Sequence, residues 1–244
     1  MTTAAHFARL VARPIDRVSI AGMSAVMPAQ LEELGVNFSV PASAAAMVVG
    51  FLPPDGITTE ELGAVLRYVP SEMVTGLTGQ LSQAGLLTVT DGGARYTEEG
   101  QRCAQAIVDA QPQALADAWL MDVARLEHMR GLLASVAGAA VRSGRLSPLL
   151  YARPLQPTNA NAAYDLWRSV TIARRFRADC HAQAWAEAGH TASTIAQLGQ
   201  GSERQLIEDR TDELNAPIWS DLSELDQLDL LAGLGGLNGV GNPS

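Results

Sequence analysis

The residues best suited to chemistry share one face of a helix predicted between residues 162 and 188. Positions three or four apart lie on the same side of a helix, and this face holds three aromatic rings, one arginine and one histidine. Aromatic rings form flat apolar walls, arginine offers a planar fork for a carboxylate, and histidine exchanges a proton near neutral pH. Sites for small organic ligands are assembled from such groups. The residues at this spacing are Tyr164, Trp167, Thr171, Arg174, Ala178, His181 and Trp185.

Two interpretations of this face stay open. In one, it is a seam inside the core or between two copies of the chain, with Arg174 reaching solvent and His181 hydrogen-bonded. In the other, it lines a pocket against a second long helix, predicted at about residues 114–143, which is apolar on two sides. If the pocket belongs to an enzyme, His181 is the predicted general acid or base and Arg174 stabilises a developing oxyanion. The predicted lining is Trp119, His128, Tyr164, Trp167, Arg174, His181 and Trp185.

The elements that position these side chains are predicted to be mostly helices. In the C-terminal half, apolar periodicity predicts helices over residues 162–188, 202–215 and 223–234. In the N-terminal half, Pro28 is expected to interrupt a helix that begins near Pro14. The predicted parts are N-terminal helices over residues 1–40, a winged-helix domain over 41–112, a long connecting helix over 113–150, a C-terminal helical region over 158–235 and a flexible tail over 236–244.

The segment from Thr58 to Gly100 has the element order of a winged helix. Thr58 and the two glutamates that follow favour a helix start, and Pro70 ends that helix. An apolar stripe predicts a second helix over residues 71–84. A single β-hairpin wing is expected over residues 86–97, because two short strands flank an Asp-Gly-Gly tip. The predicted fold class is therefore mainly α, with a winged helix-turn-helix core flanked by long helices.

The residues GLTGQLSQAGLLTVTDGGARYTEEG resemble the MarR-like winged-helix family of bacterial regulators, and the likeness covers roughly residues 40–112. The flanks are similar to a larger actinobacterial group of winged-helix proteins, in which the closing run Arg210–Leu234 matches a terminal helix pair. The resemblance implies a homodimer and a small-molecule pocket between the winged helix and its helical flanks. It also implies DNA contact through the second helix and the wing.

The charges between Thr58 and Gly100 disfavour DNA as a partner. Two basic and six acidic residues give this segment a net charge of −4, and residues 71–84 contain no arginine or lysine. Affinity for DNA comes largely from cations that neutralise phosphates. Gly76 and Gly79 each cost the helix about 1 kcal/mol relative to alanine, which suggests that another element packs closely there. The remaining candidates for DNA contact are Thr75, Gln83 and Arg95.

Composition limits the partners and the compartment. The chain of 244 residues has 17 basic residues, all arginine, against 26 acidic ones, for a net charge of −9, which repels nucleic acid and anionic membranes. Arg9, Arg13 and Arg17 form a stripe that either pairs with acidic neighbours on a solvated face or anchors an anionic ligand. Cys103 and Cys180 are predicted to be free thiols. No leader or membrane span is recognised, so a cytoplasmic protein is expected.

No motif indicates a metal, a cofactor or a nucleophile elbow, so no cofactor is predicted. The leading hypothesis is a small-molecule-binding winged-helix protein of the MarR-like regulator type. It would act in transcription regulation by sensing an aromatic or acidic metabolite, with weak or lost DNA binding. The alternative is a winged-helix protein that works without DNA in specialised metabolism. It would be a cofactor-independent enzyme with acid–base or cyclisation chemistry, or a drug-binding resistance protein.

Overall fold

The computed structural model describes residues 3–33, 52–119, 122–144 and 155–237, and for residues 23–33 it describes the backbone alone. Within these ranges the chain is mainly helical, with one small antiparallel sheet. The elements in chain order are α1 (Thr3–Glu33), β1 (Ile57–Thr58), α2 (Thr59–Val65), α3 (Ser71–Gln83), β2 (Leu87–Thr90), β3 (Gly93–Tyr96), α4 (Glu98–Ala118), α5 (Val123–Arg142), α6 (Ala162–Glu187), α7 (Ala192–Gln197), α8 (Ser202–Asn215), a 3₁₀ helix (Ala216–Trp219) and α9 (Glu224–Gly236).

Contacts divide the chain into two compact units. The helical unit comprises Met1–Ile20, Trp119–Ser147 and Ala162–Gly239. The sheet unit comprises the remaining segments, of which Ala21–Ala118 is the longest. Residues 41–51, the first part of the predicted winged-helix domain, lie outside the described residues, as does all of the predicted tail beyond Leu237.

The core of the helical unit forms around α6, which packs most extensively on α5 and α8. Leu166 and Phe176 on α6 are fully buried, and so is Leu133 on α5. Burying a side chain of this size stabilises a fold by about 1.5–3 kcal/mol. The rings of Phe7 and Trp219 meet edge to face with centroids 5.4 Å apart. Side chains from α1, α5, α6 and the 3₁₀ helix thus share one apolar core.

Helix α1 does not stop where its prolines predict. It runs from Thr3 to Glu33 through both Pro14 and Pro28. A proline inside a helix removes one backbone hydrogen bond and costs about 3 kcal/mol. Around Pro14 this cost is offset by burial, because Val11 and Ile15 are both core residues.

The sheet unit has three antiparallel strands in the order β1-β3-β2. The sequence indicated the β2–β3 hairpin but not β1, because two residues are too few to show an alternating pattern. Thr58 begins α2 with a reciprocal cap: its hydroxyl accepts from the Glu61 N–H, and the Glu61 carboxylate accepts from the Thr58 N–H at 2.9 Å. Leu77 and Leu81 of α3 are buried in the core beneath the sheet, as the apolar stripe predicts.

The range predicted as one long connecting helix contains two helices. Helix α4 continues through Pro112, which is buried, and ends at Ala118. Helix α5 then begins at Val123, where the Asp122 side chain caps it by accepting from the Arg125 N–H at 3.1 Å. An aspartate before a helix competes with continuation of the preceding helix, because its side chain satisfies the free N–H groups of a new one.

Candidate functional site

Helix α6, which carries the predicted ligand face, is the central element of the helical unit. Thirteen of its residues are buried, including Tyr164 and Trp167. Their rings lie 6.0 Å apart in a tilted arrangement. The Trp167 indole N–H donates to the carbonyl of Ser19 on α1 at 3.1 Å, and the hydroxyls of Ser19 and Thr171 lie 3.2 Å apart. The aromatic part of the face therefore contacts α1.

Arg174 also reaches α1. Its Nε donates to the Asp16 carboxylate at 2.6 Å, with the arginine side chain 28% and the aspartate 54% exposed. Ion pairs with this much solvent contact contribute about 0–1 kcal/mol, because water already stabilises both charges. The guanidinium predicted to bind a ligand anion thus has an anionic partner within the same unit.

His181, about two turns beyond Arg174, faces α8. Its Nε2 lies 3.6 Å from a carboxylate oxygen of Glu208, which also accepts from Arg204 at 3.3 Å. Burial lowers the pKa of His181 below its ordinary value, against the opposing attraction of Glu208, and the charges of Arg204 and Arg177 lower it further. The imidazole is therefore neutral at pH 7. A neutral imidazole beside a carboxylate has the composition of a general base.

The side chains of His181, Glu208 and Arg204 belong to a charged network that also contains a fully buried carboxylate, Asp212. One of its oxygens accepts from Arg177 on α6 at 2.6 Å, and the other accepts from Arg9 on α1 at 2.7 Å. Arg9 also pairs with Asp209, and the Arg9 guanidinium holds the pKa of that carboxyl below its usual range. A buried carboxylate is tolerated when both of its oxygens are paired. The network therefore joins α1, α6 and α8.

This network was missed in the sequence, although two signals for it are present. Helix α8 carries acidic residues at 208, 209, 212 and 213, and α1 carries the basic stripe. The structure favours the first interpretation of that stripe for Arg9, which pairs with α8. Arg17 instead donates to the carbonyl of Leu234 at 2.8 Å, where it satisfies the end of α9. Which helices meet could not be read from either pattern alone.

The other predicted lining residues lie apart from the charged network. Trp119 is buried, and its indole N–H has no hydrogen-bond partner among the described residues. His128 on α5 is half exposed and lies 3.6 Å from Asp229 on α9. Trp185 is half-buried near the end of α6. The structure thus brings together Tyr164 with Trp167, whereas Arg174, His181 and His128 each face a carboxylate on a different helix.

The candidate DNA contacts lie in the sheet unit. Thr75 and Gln83 are exposed on α3, and Arg95 is exposed on β3. Glu72 is exposed on the same helix, so the outer face of α3 carries one negative charge and no cation. The two glycines of α3 do not serve close packing within the described part of the chain, because a Cβ added at Gly76 or Gly79 would meet nothing within 4 Å.

Metal and thiol chemistry have little support in the described residues. No group of three His, Cys, Asp or Glu side chains is placed to hold a metal ion there. Cys103 and Cys180 are buried, and burial raises the pKa of the Cys103 thiol. A thiol in this state is a poor nucleophile, because the thiolate is the reactive form.

Comparisons with protein-family models, with curated proteins and with solved structures gave no match. Among the described helices, none has both the length and the apolar character needed to cross a membrane. Function is therefore inferred from the geometry and charge of the two units.

Proposed function

We propose that this chain is a ligand-responsive winged-helix protein of the MarR-like regulator type, with weak DNA contact. The observation that supports it best is the strand order β1-β3-β2, with α2 and α3 inserted between β1 and β2. A winged helix needs this connection, since it places the second helix beside a hairpin that extends to one side. In this proposal α3 is the recognition helix and the tip between β2 and β3 is the wing.

The weak contact follows from the charges of that surface. Arg95 on the wing strand is exposed and positive, while Glu72 on α3 and Asp91 at the wing tip are exposed and negative. Each cation that pairs with a phosphate releases condensed counterions, and this release supplies most of the non-specific affinity. A surface with so few cations binds duplex DNA only at low salt.

A gel shift with the DNA upstream of the protein's own gene tests the proposal. At low salt we expect a shift at micromolar protein, weakened by the substitution Arg95→Gln. Arg125→Gln is the matched control, because Arg125 is exposed in the helical unit. No shift at tens of micromolar would contradict the regulator type. Equal loss in the two variants would show that Arg95 has no particular role.

The alternative is a winged-helix protein that acts without DNA, and the exposed carboxylate of Glu72 on a cation-free α3 favours it. In that case the chemistry would fall to the helical unit, where His181 beside Glu208 supplies a neutral base. Arg174 would have to exchange Asp16 for a substrate anion. The same gel shift separates the two functions, because the alternative predicts no complex at any salt concentration.

We also propose a homodimer formed through the helical flanks. Leu225 and Leu228 on α9 are 75% and 63% exposed at positions three apart on one face of the helix, and Leu206 on α8 is 69% exposed. Exposed leucines in such a row support a protein partner. Light scattering at micromolar concentration should give twice the chain mass, and Leu228→Glu should lower it. A monomeric wild type would contradict this proposal.

A further inference from the structure

A groove of about 880 Å³ lies on the outer face of the sheet. The described residues of its lining all belong to the sheet unit and include residues of the turn before β1, the two long strands and the hairpin tip. Volumes of roughly 300–1,000 Å³ are typical of small-ligand sites. The residues that carry the argument are Asp55, Gly56, Glu61, Thr88, Arg95 and Tyr96.

Among the described residues that line this groove, Arg95 is the one positive group. No ion pair or side-chain hydrogen bond joins its guanidinium to any of the described residues. This sets it apart from Arg9, Arg174, Arg177 and Arg210, which all pair with carboxylates. An unpaired guanidinium in a concave site is a strong anion receptor, because its planar fork matches the two oxygens of a carboxylate.

The backbone beneath Arg95 is shaped to hold its side chain. Gly56 has φ +93°, and a Cβ added there would lie 2.4 Å from Cγ of Arg95. The arginine stem therefore lies directly over the glycine backbone. Thr88 is the cross-strand partner of Arg95 in the β2–β3 pairing, so its side chain projects from the same face of the sheet. Its hydroxyl is a second donor for an anion bound at the guanidinium.

The other charges of the lining limit how negative the ligand can be. Asp55 and Glu61 line the groove, and Glu61 is held in place because it accepts from the N–H and the hydroxyl of Thr58, each at 2.9 Å. Burial raises the pKa of the Tyr96 phenol, so Tyr96 adds no charge. With one cation against two carboxylates, the lining favours a small ligand with one negative charge over a small dianion.

We infer that this groove binds small organic monocarboxylates, with Arg95 as the anchor for the carboxylate and Thr88 as a second donor. The uncharged part of the ligand would lie along the sheet toward Thr58 and Thr90, which line the groove on the same face as Arg95. This inference does not require the proposed function, because the groove lies within the sheet unit and its occupation involves no DNA.

The test is an NMR titration of the isotope-labelled full chain with three probes of one shape and different charge: hexanoate, hexanamide and hexylammonium. We expect hexanoate to shift backbone amides of residues 55–58 and 88–96, with a dissociation constant in the millimolar range. Hexanamide and hexylammonium should leave these amides unchanged. Arg95→Gln should weaken hexanoate binding at least about fivefold, since a charge-assisted pair is lost. Arg95→Lys keeps the positive charge but lacks the planar guanidinium, so its affinity for hexanoate should lie between those of the wild type and Arg95→Gln.

The controls keep folding separate from binding. Arg125→Gln should bind hexanoate as the wild type does, and circular dichroism of Arg95→Gln should match the wild type because the Arg95 guanidinium pairs with none of the described residues. The inference is overturned if hexylammonium shifts the groove amides most, if Arg95→Gln binds hexanoate normally, or if no probe shifts them. Tighter binding of inorganic phosphate than of hexanoate would also overturn it. None of these results alters the DNA test of the proposed function.

Discussion

In the helical unit Arg9 and Arg177 both point at one fully buried carboxylate, Asp212, whereas in the sheet unit Arg95 lies in an open groove with no anionic partner among the described residues. Arg9 and Arg177 connect helices α1, α6 and α8 through Asp212. Arg95, in contrast, is available to bind a ligand. Arginine thus has opposite uses in the two units, although the whole chain is acidic with a net charge of −9.

The difference between the two units separates charges that stabilise the fold from charges that can bind a ligand. A charged cluster whose members satisfy one another is costly to disrupt and offers little to a ligand. A lone cation over a glycine backbone contributes little to stability and is free to bind. Substitutions in the charged network of the helical unit should therefore change stability, whereas substitution of Arg95 in the sheet unit should change ligand binding.

The largest effect is expected from removing the buried carboxylate of the helical unit. Asp212→Ala should lower the free energy of unfolding by about 3 kcal/mol, because it leaves the guanidinium groups of Arg9 and Arg177 without their shared anion. Urea unfolding measures this. Asp209→Ala is the matched control, since Asp209 is 41% exposed, and it should cost less than about 1 kcal/mol. Equal losses would contradict a structural role for the buried pair.

The second prediction concerns pH. Burial lowers the pKa of His181 in the folded state below its ordinary value of 6.5. Below that value the unfolded chain binds a proton that the folded chain resists, so His181 contributes stability that is present above pH 6.5 and is lost as the pH falls. The wild type should lose more stability between pH 7.5 and 5.5 than His181→Gln does. His128→Gln, at a side chain 49% exposed, should behave as the wild type. If the free energy of unfolding changes with pH in the same way for all three proteins, His181 is not the source of the pH dependence.

A substitution in helix α3 is expected to have a smaller effect and to stabilise the fold. Gly79→Ala should raise the free energy of unfolding by about 0.5–1 kcal/mol, because alanine favours a helix and its Cβ meets nothing within 4 Å. Gly100→Ala is the contrasting variant: its Cβ would lie 1.8 Å from the Leu86 carbonyl oxygen, so it should destabilise the sheet unit. Chemical denaturation compares them. If Gly79→Ala lowers the mass seen by light scattering, the α3 glycines contact a second copy.

The smallest effect on stability is expected at the groove. Arg95→Ala should change the free energy of unfolding by less than about 0.5 kcal/mol, because Arg95 is exposed and its guanidinium pairs with none of the described residues. Arg174→Ala should cost up to about 1 kcal/mol through loss of the Asp16 pair. If Arg95→Ala lowers the free energy of unfolding more than Arg174→Ala does, Arg95 stabilises the sheet unit and is not simply available for a ligand.

Local signals in the sequence predicted local structure well. The bounds predicted for the helix over residues 202–215 are confirmed, and the hairpin was expected from its Asp-Gly-Gly tip. Strand β1 was missed because it depends on pairing with β3, a contact far away in sequence. Pro28 was expected to interrupt a helix, but α1 continues through it, and α4 continues through Pro112, where the burial of Val108, Pro112 and Leu115 offsets one lost hydrogen bond.

The site depended on information that a single helix does not contain. The spacing of Trp167, Arg174 and His181 placed them correctly on α6, but their partners come from α1 and α8. Charge patterns on those helices show which side chains need partners without showing which helices meet. Arg95 was recognised only as a weak DNA contact, because the groove around it exists only once three strands are paired.

We propose that the winged helix contacts DNA through very few cations, and the salt dependence of binding decides between this proposal and its alternative. Fluorescence anisotropy with a duplex from the upstream region should give a plot of log K against log salt with a slope of about −1 to −2 per protomer. Arg95→Gln should reduce that slope by about 1, since one phosphate contact is removed. A slope steeper than about −5, or one that Arg95→Gln leaves unchanged, would contradict the account.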